Sequence, residues 1–160
     1  MASVGSRQHA VKHRSAPAEA FSGLAIQVLT LAAALHEAGN LLAAPAGQST
    51  ARWQVMAAVE ETPAAVAEIA RTLSLARQSV QRVADALVAD GVARYEDNPV
   101  HKRAKLLSLT PQGRRALRHI QAAQARWAED VSRGLDAEAL AACRDTLAAL
   151  HARLGAWSVA

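Results

Sequence analysis

The 160-residue chain reads as a mostly α protein with one small β-hairpin, and three observations carry that expectation. Alanine is abundant while only five residues are aromatic, a composition that suits close helix packing better than a β-sandwich. Apolar residues recur at helical spacing near both ends of the chain. Near the middle lie two short apolar runs, each compact enough for a strand, on either side of a polar turn. The length is enough for one compact core and too short for two ordinary domains.

Residues 1 to 18 mix Ser, Gly, Pro, His and the basic residues Arg7, Lys12 and Arg14 without apolar periodicity, so they are expected to be a disordered basic tail. From Glu19 to Ala44, Phe21, Leu24, Val28, Leu31, Leu35 and Leu42 fall at 3,4 spacing with Ala38 in the remaining slot, the narrow seam of a helix that packs on other helices. Residues 19 to 49 thus hold an N-terminal dimerisation helix and a linker. Thr50 to Glu61 is a further helix with Trp53, Met56 and Val59 facing inward, ended by Thr62-Pro63 because the residue before proline disfavours the helical conformation. Two short helices follow, Ala64 to Leu73 and Ala76 to Asp90, separated by Ser74 and Leu75 alone. This is the spacing of a helix-turn-helix.

Gly91 stops the second of these helices. Val92 to Tyr95 and Lys105 to Leu109 are then strand candidates around the turn Glu96 to Arg103, forming a hairpin, or wing. Thr110 caps the next helix and Pro111 takes its favoured first position. Residues 50 to 115 form the winged helix-turn-helix region and residues 116 to 160 the C-terminal dimerisation helices. There Leu117, Ile120, Trp127 and Val131 share one stripe, and Leu140, Cys143, Leu147, Leu150, Leu154 and Trp157 share another. Gly134 closes the first of these helices and Asp136 caps the second. Three seams exceed what one chain can bury beside a separate middle region, so a second copy is expected to complete the bundle.

Formal net charge is +4, and the segment from Glu68 to Arg115, with nine Lys/Arg against five Asp/Glu, contributes an equal excess by itself. On the helix from Ala76, Val80, Val83 and Leu87 share one face. Gln78, Gln81, Arg82 and Asp85 lie opposite, and Arg77 stands near the helix start. Such a helix fits the roughly 12 Å wide major groove, where Arg pairs with guanine O6/N7 and Gln with adenine N6/N7. Ser79 and Arg82 are also placed for phosphate contacts. His101, Lys102, Arg103 and Lys105 cluster on the hairpin, with Arg114 and Arg115 just after it. An arginine at a hairpin tip is drawn into the minor groove by its negative potential, with Arg103 the first choice and Lys102 the second. The expected DNA-contacting set is Arg77, Gln78, Ser79, Gln81, Arg82, Lys102, Arg103 and Lys105.

The run VAEIARTLSLARQSVQRVADALVADGVARYEDNPVHKRAKLLSLTPQG resembles the MarR-family winged helix: helix, turn, recognition helix, wing and an LT-x-x-G exit in order. The resemblance covers roughly residues 50 to 115 and departs from the family pattern at two places. His101 stands at the acidic position of the family's Asp-x-Arg wing element, with Arg103 keeping the arginine, and Ala76 stands where a Ser or Thr often caps the recognition helix. The resemblance implies a homodimer on a pseudo-palindromic operator in double-stranded DNA. It further implies a repressor released by a small lipophilic or aromatic ligand bound between the DNA-binding and dimerisation parts. His36, Arg52, Trp53 and Met56 are the expected ligand-site residues, on helices that should meet beside the DNA-binding part.

Other classes find little support. His36-Glu37 opens like a zinc-protease motif, but Asn40 occupies the second histidine's position. The six histidines lack ligand spacing, and no Gly-rich phosphate loop or nucleophile elbow occurs, so neither a cofactor nor an enzymatic activity is expected. The lone Cys143 is expected to be a buried structural thiol. No apolar run is expected to approach the ~18 residues of a membrane span, and Met1 to Ala18 lacks the apolar stretch of a signal peptide, which points to a cytoplasmic protein. The contrasting reading is a MarR-like dimer that binds small molecules or protein partners without an operator. Loss of operator binding on replacing Arg103 would separate the two.

Overall fold

The computed structural model describes residues 14–101 and 103–157. Six helices and three short strands follow one another as α1 (Ala16–Ala43), α2 (Thr50–Ala58), β1 (Ala64–Ala65), α3 (Val66–Thr72), α4 (Arg77–Ala89), β2 (Ala93–Glu96), β3 (Leu106–Leu109), α5 (Pro111–Ser132) and α6 (Ala137–Gly155). The mostly α class with a small wing is therefore the observed one. Of the expected basic tail, residues 1–13 lie outside the described residues, and its end is already helical. The helix starts at Ala16 because Pro17 sits in the first turn, where a missing N–H costs nothing.

The strands form one antiparallel sheet in the order β1-β3-β2, so the hairpin has a third member that the sequence reading assigned to a helix. Ala64 and Ala65 pair with Leu107 and Leu106. Pro63 keeps the preceding residue out of the helical region, and the open edge of β3 takes the next two backbones before Ala65 caps α3 in an extended conformation. On the other side of β3, Ala93 faces Leu109 and Tyr95 faces Leu107.

Between α3 and α4 the chain reverses at Ser74, a non-glycine residue with φ of 53°. The turn is held by Ser74 N–H donating to Arg71 O (3.2 Å) and Leu75 N–H to Ala70 O (2.9 Å). At the far end of α4, Gly91 adopts φ of 70°, and Val92 N–H returns to Leu87 O at 2.9 Å, the glycine-dependent close of a helix. Thr110 caps α5 by accepting from Gly113 N–H at 3.1 Å, and Asp136 caps α6 by accepting from Glu138 and Ala139. Ala76, as its side chain dictates, gives α4 no side-chain cap.

The core lies inside the winged region. Val55, Met56, Ile69, Val80, Leu87, Leu107, Leu109 and Leu117 are all essentially inaccessible and drawn from α2, α3, α4, β3 and α5. At ~1.5–3 kcal/mol per fully buried aliphatic side chain, this cluster dominates the stability of the single chain. On α4 the buried stripe is Val80, Ala84 and Leu87, with Val83 half-buried at its border.

The terminal helices behave differently. α6 buries none of its residues, and α1 buries only Gly39 and Ala43. Leu31, Leu35, Leu154 and Trp157 of the predicted seams are exposed, and so is Cys143, which corrects the expected burial of its thiol within one chain. A groove of about 660 Å³ runs between α1 and α6, lined by Phe21, Leu24, Val28, Leu147, Leu150 and Leu154 among others. The expectation that nothing approaches a membrane span also needs correction. The helical stretch Ala16–Ala46 is long and apolar enough to cross a bilayer by length and composition, because alanines fill the positions between its larger apolar residues.

α1 is joined to the winged region through α2. Thr50 Oγ1 donates to His36 O at 2.8 Å, and Thr50 N–H donates to Asn40 Oδ1 at 2.9 Å. Gly39 makes this approach possible, since a Cβ there would stand 2.5 Å from Thr50 Oγ1.

Candidate DNA-binding surface

The buried stripe of α4 turns its other side outward. Arg77, Gln78 and Arg82 are exposed on that side, whereas Ser79 and Gln81 are half-buried. Arg103 and Lys105 on the wing are exposed, and Lys102 lies outside the described residues. The fold brings part of the predicted set together: Arg77, Gln81, Arg103 and Lys105 border one cleft of about 250 Å³, with Tyr95 and the start of α3 completing its wall. Three cations around one cleft create a positive potential suited to a polyanion. Gln78 and Arg82 stand apart from the cleft, further round the exposed face.

Gln81 is engaged by its own protein. Its Nε2 donates to Asp85 Oδ1 and to the Tyr95 hydroxyl, both at 2.9 Å, and Tyr95 in turn donates to Asp85 Oδ1 at 2.7 Å. Burial, followed by the Asp85 hydrogen bond and charge, pushes the Tyr95 phenol up to about 12 from an ordinary 10.0. The phenol is therefore a hydrogen-bond donor throughout the neutral range. Tyr95 was not among the residues singled out from sequence. The one usable sign was its position as the only tyrosine, on a strand next to a polar helix face.

The wing has its own scaffold. Asn98 Oδ1 accepts from Val100 N–H (2.9 Å) and His101 N–H (3.1 Å), and Ala104 N–H donates to His101 O at 3.0 Å. His101 thus sets the turn through its backbone while its side chain is exposed. On the outer strand, Glu96 accepts from the buried Ser108 hydroxyl at 2.5 Å and pairs with Arg94 at 2.8 Å. These two contacts, Ser108 first, hold its carboxyl below the usual carboxylate value. Arg94 is consequently tied to an acid, unlike the wing cations Arg103 and Lys105, for which no ion pair occurs among the described residues.

The four residues expected to hold a ligand line neither the cleft beside α4 nor the groove between α1 and α6. Met56 is fully buried in the core, Trp53 packs half-buried on that core, and His36 is exposed with its carbonyl turned to Thr50. Arg52 reaches Asp90 at the end of α4 with a 2.6 Å ion pair, and its buried Nε has no partner. Periodicity placed the four correctly on neighbouring helices, but packing turned their side chains in different directions. No group of three or more potential metal ligands occurs among the described residues.

Two helices joined by a tight turn, a donor-rich exposed face on the second and a basic hairpin beside it define a winged helix-turn-helix fold. A model of the MarR family matches residues 47–104. The uncharacterized protein Rv2011c of Mycobacterium tuberculosis is 39% identical over 124 residues, which span 78% of this chain and 87% of that protein. The chain belongs to the MarR family. Among solved structures, a mutant MarR from E. coli complexed with operator DNA superimposes with a TM-score of 0.73 at 20% identity, covering 80% of this chain and 93% of that one. CouR from Rhodococcus jostii, bound to p-coumaroyl-CoA, gives 0.72 at 20% identity, covering 79% and 90%.

Proposed function

We propose that the protein is a homodimeric, sequence-specific DNA-binding repressor of a pseudo-palindromic operator, released by a small lipophilic or aromatic ligand. The observation that carries the DNA reading is the exposed Arg77, Gln78 and Arg82 face of α4 beside a wing that presents Arg103 and Lys105. α4 enters the major groove, where Arg82 and Gln78 address base edges. Arg77, Ser79 and Lys105 hold phosphates, and Arg103 is the first choice for the adjacent minor groove, with Lys102 the second. The E. coli relative in fold, complexed with operator DNA, supports the DNA-binding reading.

A second copy covers the exposed faces of α1 and α6, making residues 19–49 and 116–160 the dimerisation parts around the DNA-binding region 50–115. Support comes from the apolar lining of the groove between these helices and from an α6 that buries nothing within its own chain. On this reading the apolar stretch of α1 is a dimer seam rather than a membrane span, and the protein is soluble and cytoplasmic. The ligand class is supported by CouR, whose structure holds p-coumaroyl-CoA.

Fluorescence polarisation with duplex DNA from the region upstream of the protein's own gene tests the proposal. Binding should be tight, weaken steeply with added salt and exceed binding to a scrambled duplex at the same salt. Replacing Arg103 with Ala should weaken it. Equal affinity for the scrambled duplex would remove the sequence-specific reading.

A further inference from the structure

We infer that Tyr95, Asp85 and Gln81 form a positioning device that fixes the wing against the recognition helix, and that Gln81 serves this device rather than reading bases. The inference rests on the DNA-binding reading above. Its basis is the ring of contacts in which the Gln81 amide nitrogen, the Tyr95 hydroxyl and Asp85 Oδ1 each lie 2.7 to 2.9 Å from the other two.

Gln81 and Asp85 are one turn apart on α4, whereas Tyr95 belongs to β2, so the ring joins the helix to the wing. Tyr95 faces Leu107 across the ladder, and β3 leads back from Leu107 directly to Lys105 and Arg103. A displacement of the Tyr95 hydroxyl relative to α4 is therefore carried by the paired strands to the wing cations. The same cleft shows the consequence in space, with Gln81 and Tyr95 in its wall and Arg77 and Arg103 also bordering it. The distance between a cation on α4 and a cation on the wing decides whether both meet the duplex at once, and the ring spans that distance.

The chemistry suits a permanent tie. A phenol donating to a carboxylate makes a charge-assisted hydrogen bond, roughly twice as strong as a neutral one. The raised phenol pKa keeps the proton in place at every pH at which DNA binding is measured. The ring also occupies an acid that would otherwise face phosphates unpaired. Bidentate pairing with adenine needs the amide nitrogen as donor to N7 and the amide oxygen as acceptor from N6. The Gln81 nitrogen is held inward by two partners, which leaves Gln78 and Arg82 to set base preference.

Operator affinity of the full-length protein at fixed salt provides the test, using Tyr95→Phe, Arg103→Ala and the double variant. Tyr95→Phe removes one oxygen and is expected to weaken binding about five- to tenfold, the scale of one hydrogen bond to a charged group at a half-exposed site. Because the hydroxyl acts through the wing, the double variant should bind little worse than Arg103→Ala alone. Unchanged affinity in Tyr95→Phe, or losses that multiply in the double variant, would overturn the inference. Asp85→Ala, at an exposed position on α4, removes the acceptor without touching the core and should reproduce the coupled loss should Tyr95→Phe fold poorly. Gln81→Ala, tested on duplexes with each base pair replaced in turn, should weaken all of them alike. Relaxed preference at one pair would return Gln81 to base reading. Failure of the unmodified protein to prefer its upstream duplex would instead sink the DNA-binding reading itself, a result distinct from all of these.

Discussion

Gly113→Ala is the substitution whose cost the structure specifies most fully. An added Cβ would land on the Val92 carbonyl oxygen, with Val92 C at 3.1 Å and Leu109 Cδ2 at 3.3 Å also crowding it. The carbonyl cannot withdraw, because Val92 is buried and its oxygen accepts from Thr110 N–H at 3.1 Å, while the Thr110 hydroxyl donates to the adjoining Gly91 O at 2.7 Å. Relief requires the first turn of α5 to lift from the strand ends. Overpacking of this kind costs ~1–3 kcal/mol, and loosening the Thr110 N–H bond to Val92 O adds ~0.5–1.5 kcal/mol, giving a loss of about 3 kcal/mol. For a chain of this size that is a fall of roughly 6–12 °C in the unfolding midpoint. Thermal and urea unfolding by circular dichroism at fixed protein concentration measures it. Gly23→Ala is the control, since nothing lies within 4 Å of a Cβ there, and it should be neutral or stabilising by up to ~1 kcal/mol. A midpoint for Gly113→Ala within about 2 °C of the unmodified protein would refute the packing argument.

Leu154→Glu places a charge on an exposed apolar position of α6, so each chain should fold while the proposed dimer fails to form, and sedimentation at micromolar concentration should report monomer where the unmodified protein reports dimer. Tyr95 is the only tyrosine, so phenolate absorbance follows it alone and should titrate near 12 in the folded protein. A raised acid pKa means that its contribution to stability is complete below pH 10 and is lost as pH rises from 10.0 to about 12; Asp85→Asn should lower the midpoint, and titration at 10 in the folded protein would contradict the Tyr95–Asp85 hydrogen bond. Lys105→Ala should weaken all duplexes about equally and reduce the salt slope by about one, whereas Arg82→Ala should also relax base preference, a contrast read from polarisation titrations at several salt concentrations.

The hydrophobic pattern alone located most of the fold. Val80, Val83 and Leu87 defined the inner side of α4 correctly, because a helix with a wide apolar stripe has one way to bury it. Gly91, Thr110 and Gly134 marked element ends for local reasons of backbone conformation and capping. β1 was not legible, since Ala64-Ala65 has good helix propensity and becomes a strand only because β3 offers an open edge. The exposure of Cys143 was equally hidden, as seam spacing shows that a face is apolar and not which chain covers it.

The basic wing and the outward residues of α4 followed from spacing, whereas the inward turn of the Gln81 amide did not. That orientation depends on Tyr95, fourteen residues further on, and on strand register that sequence spacing leaves open. The predicted ligand set shows the same limit from the other side. His36, Arg52, Trp53 and Met56 lie on neighbouring helices, yet Met56 packs into the core while the long Arg52 side chain, one turn away on the same helix, is drawn to Asp90.

The central claim is that this surface reads a specific duplex. Its most direct measurement compares, at one physiological salt concentration, the affinity of the protein for the duplex upstream of its own gene and for a scrambled duplex of equal length. A preference of about a thousandfold or more is expected, lost in large part when Arg82 and Arg103 are both replaced by Ala. Equal affinity for the two duplexes, or a preference untouched by the double replacement, would contradict it.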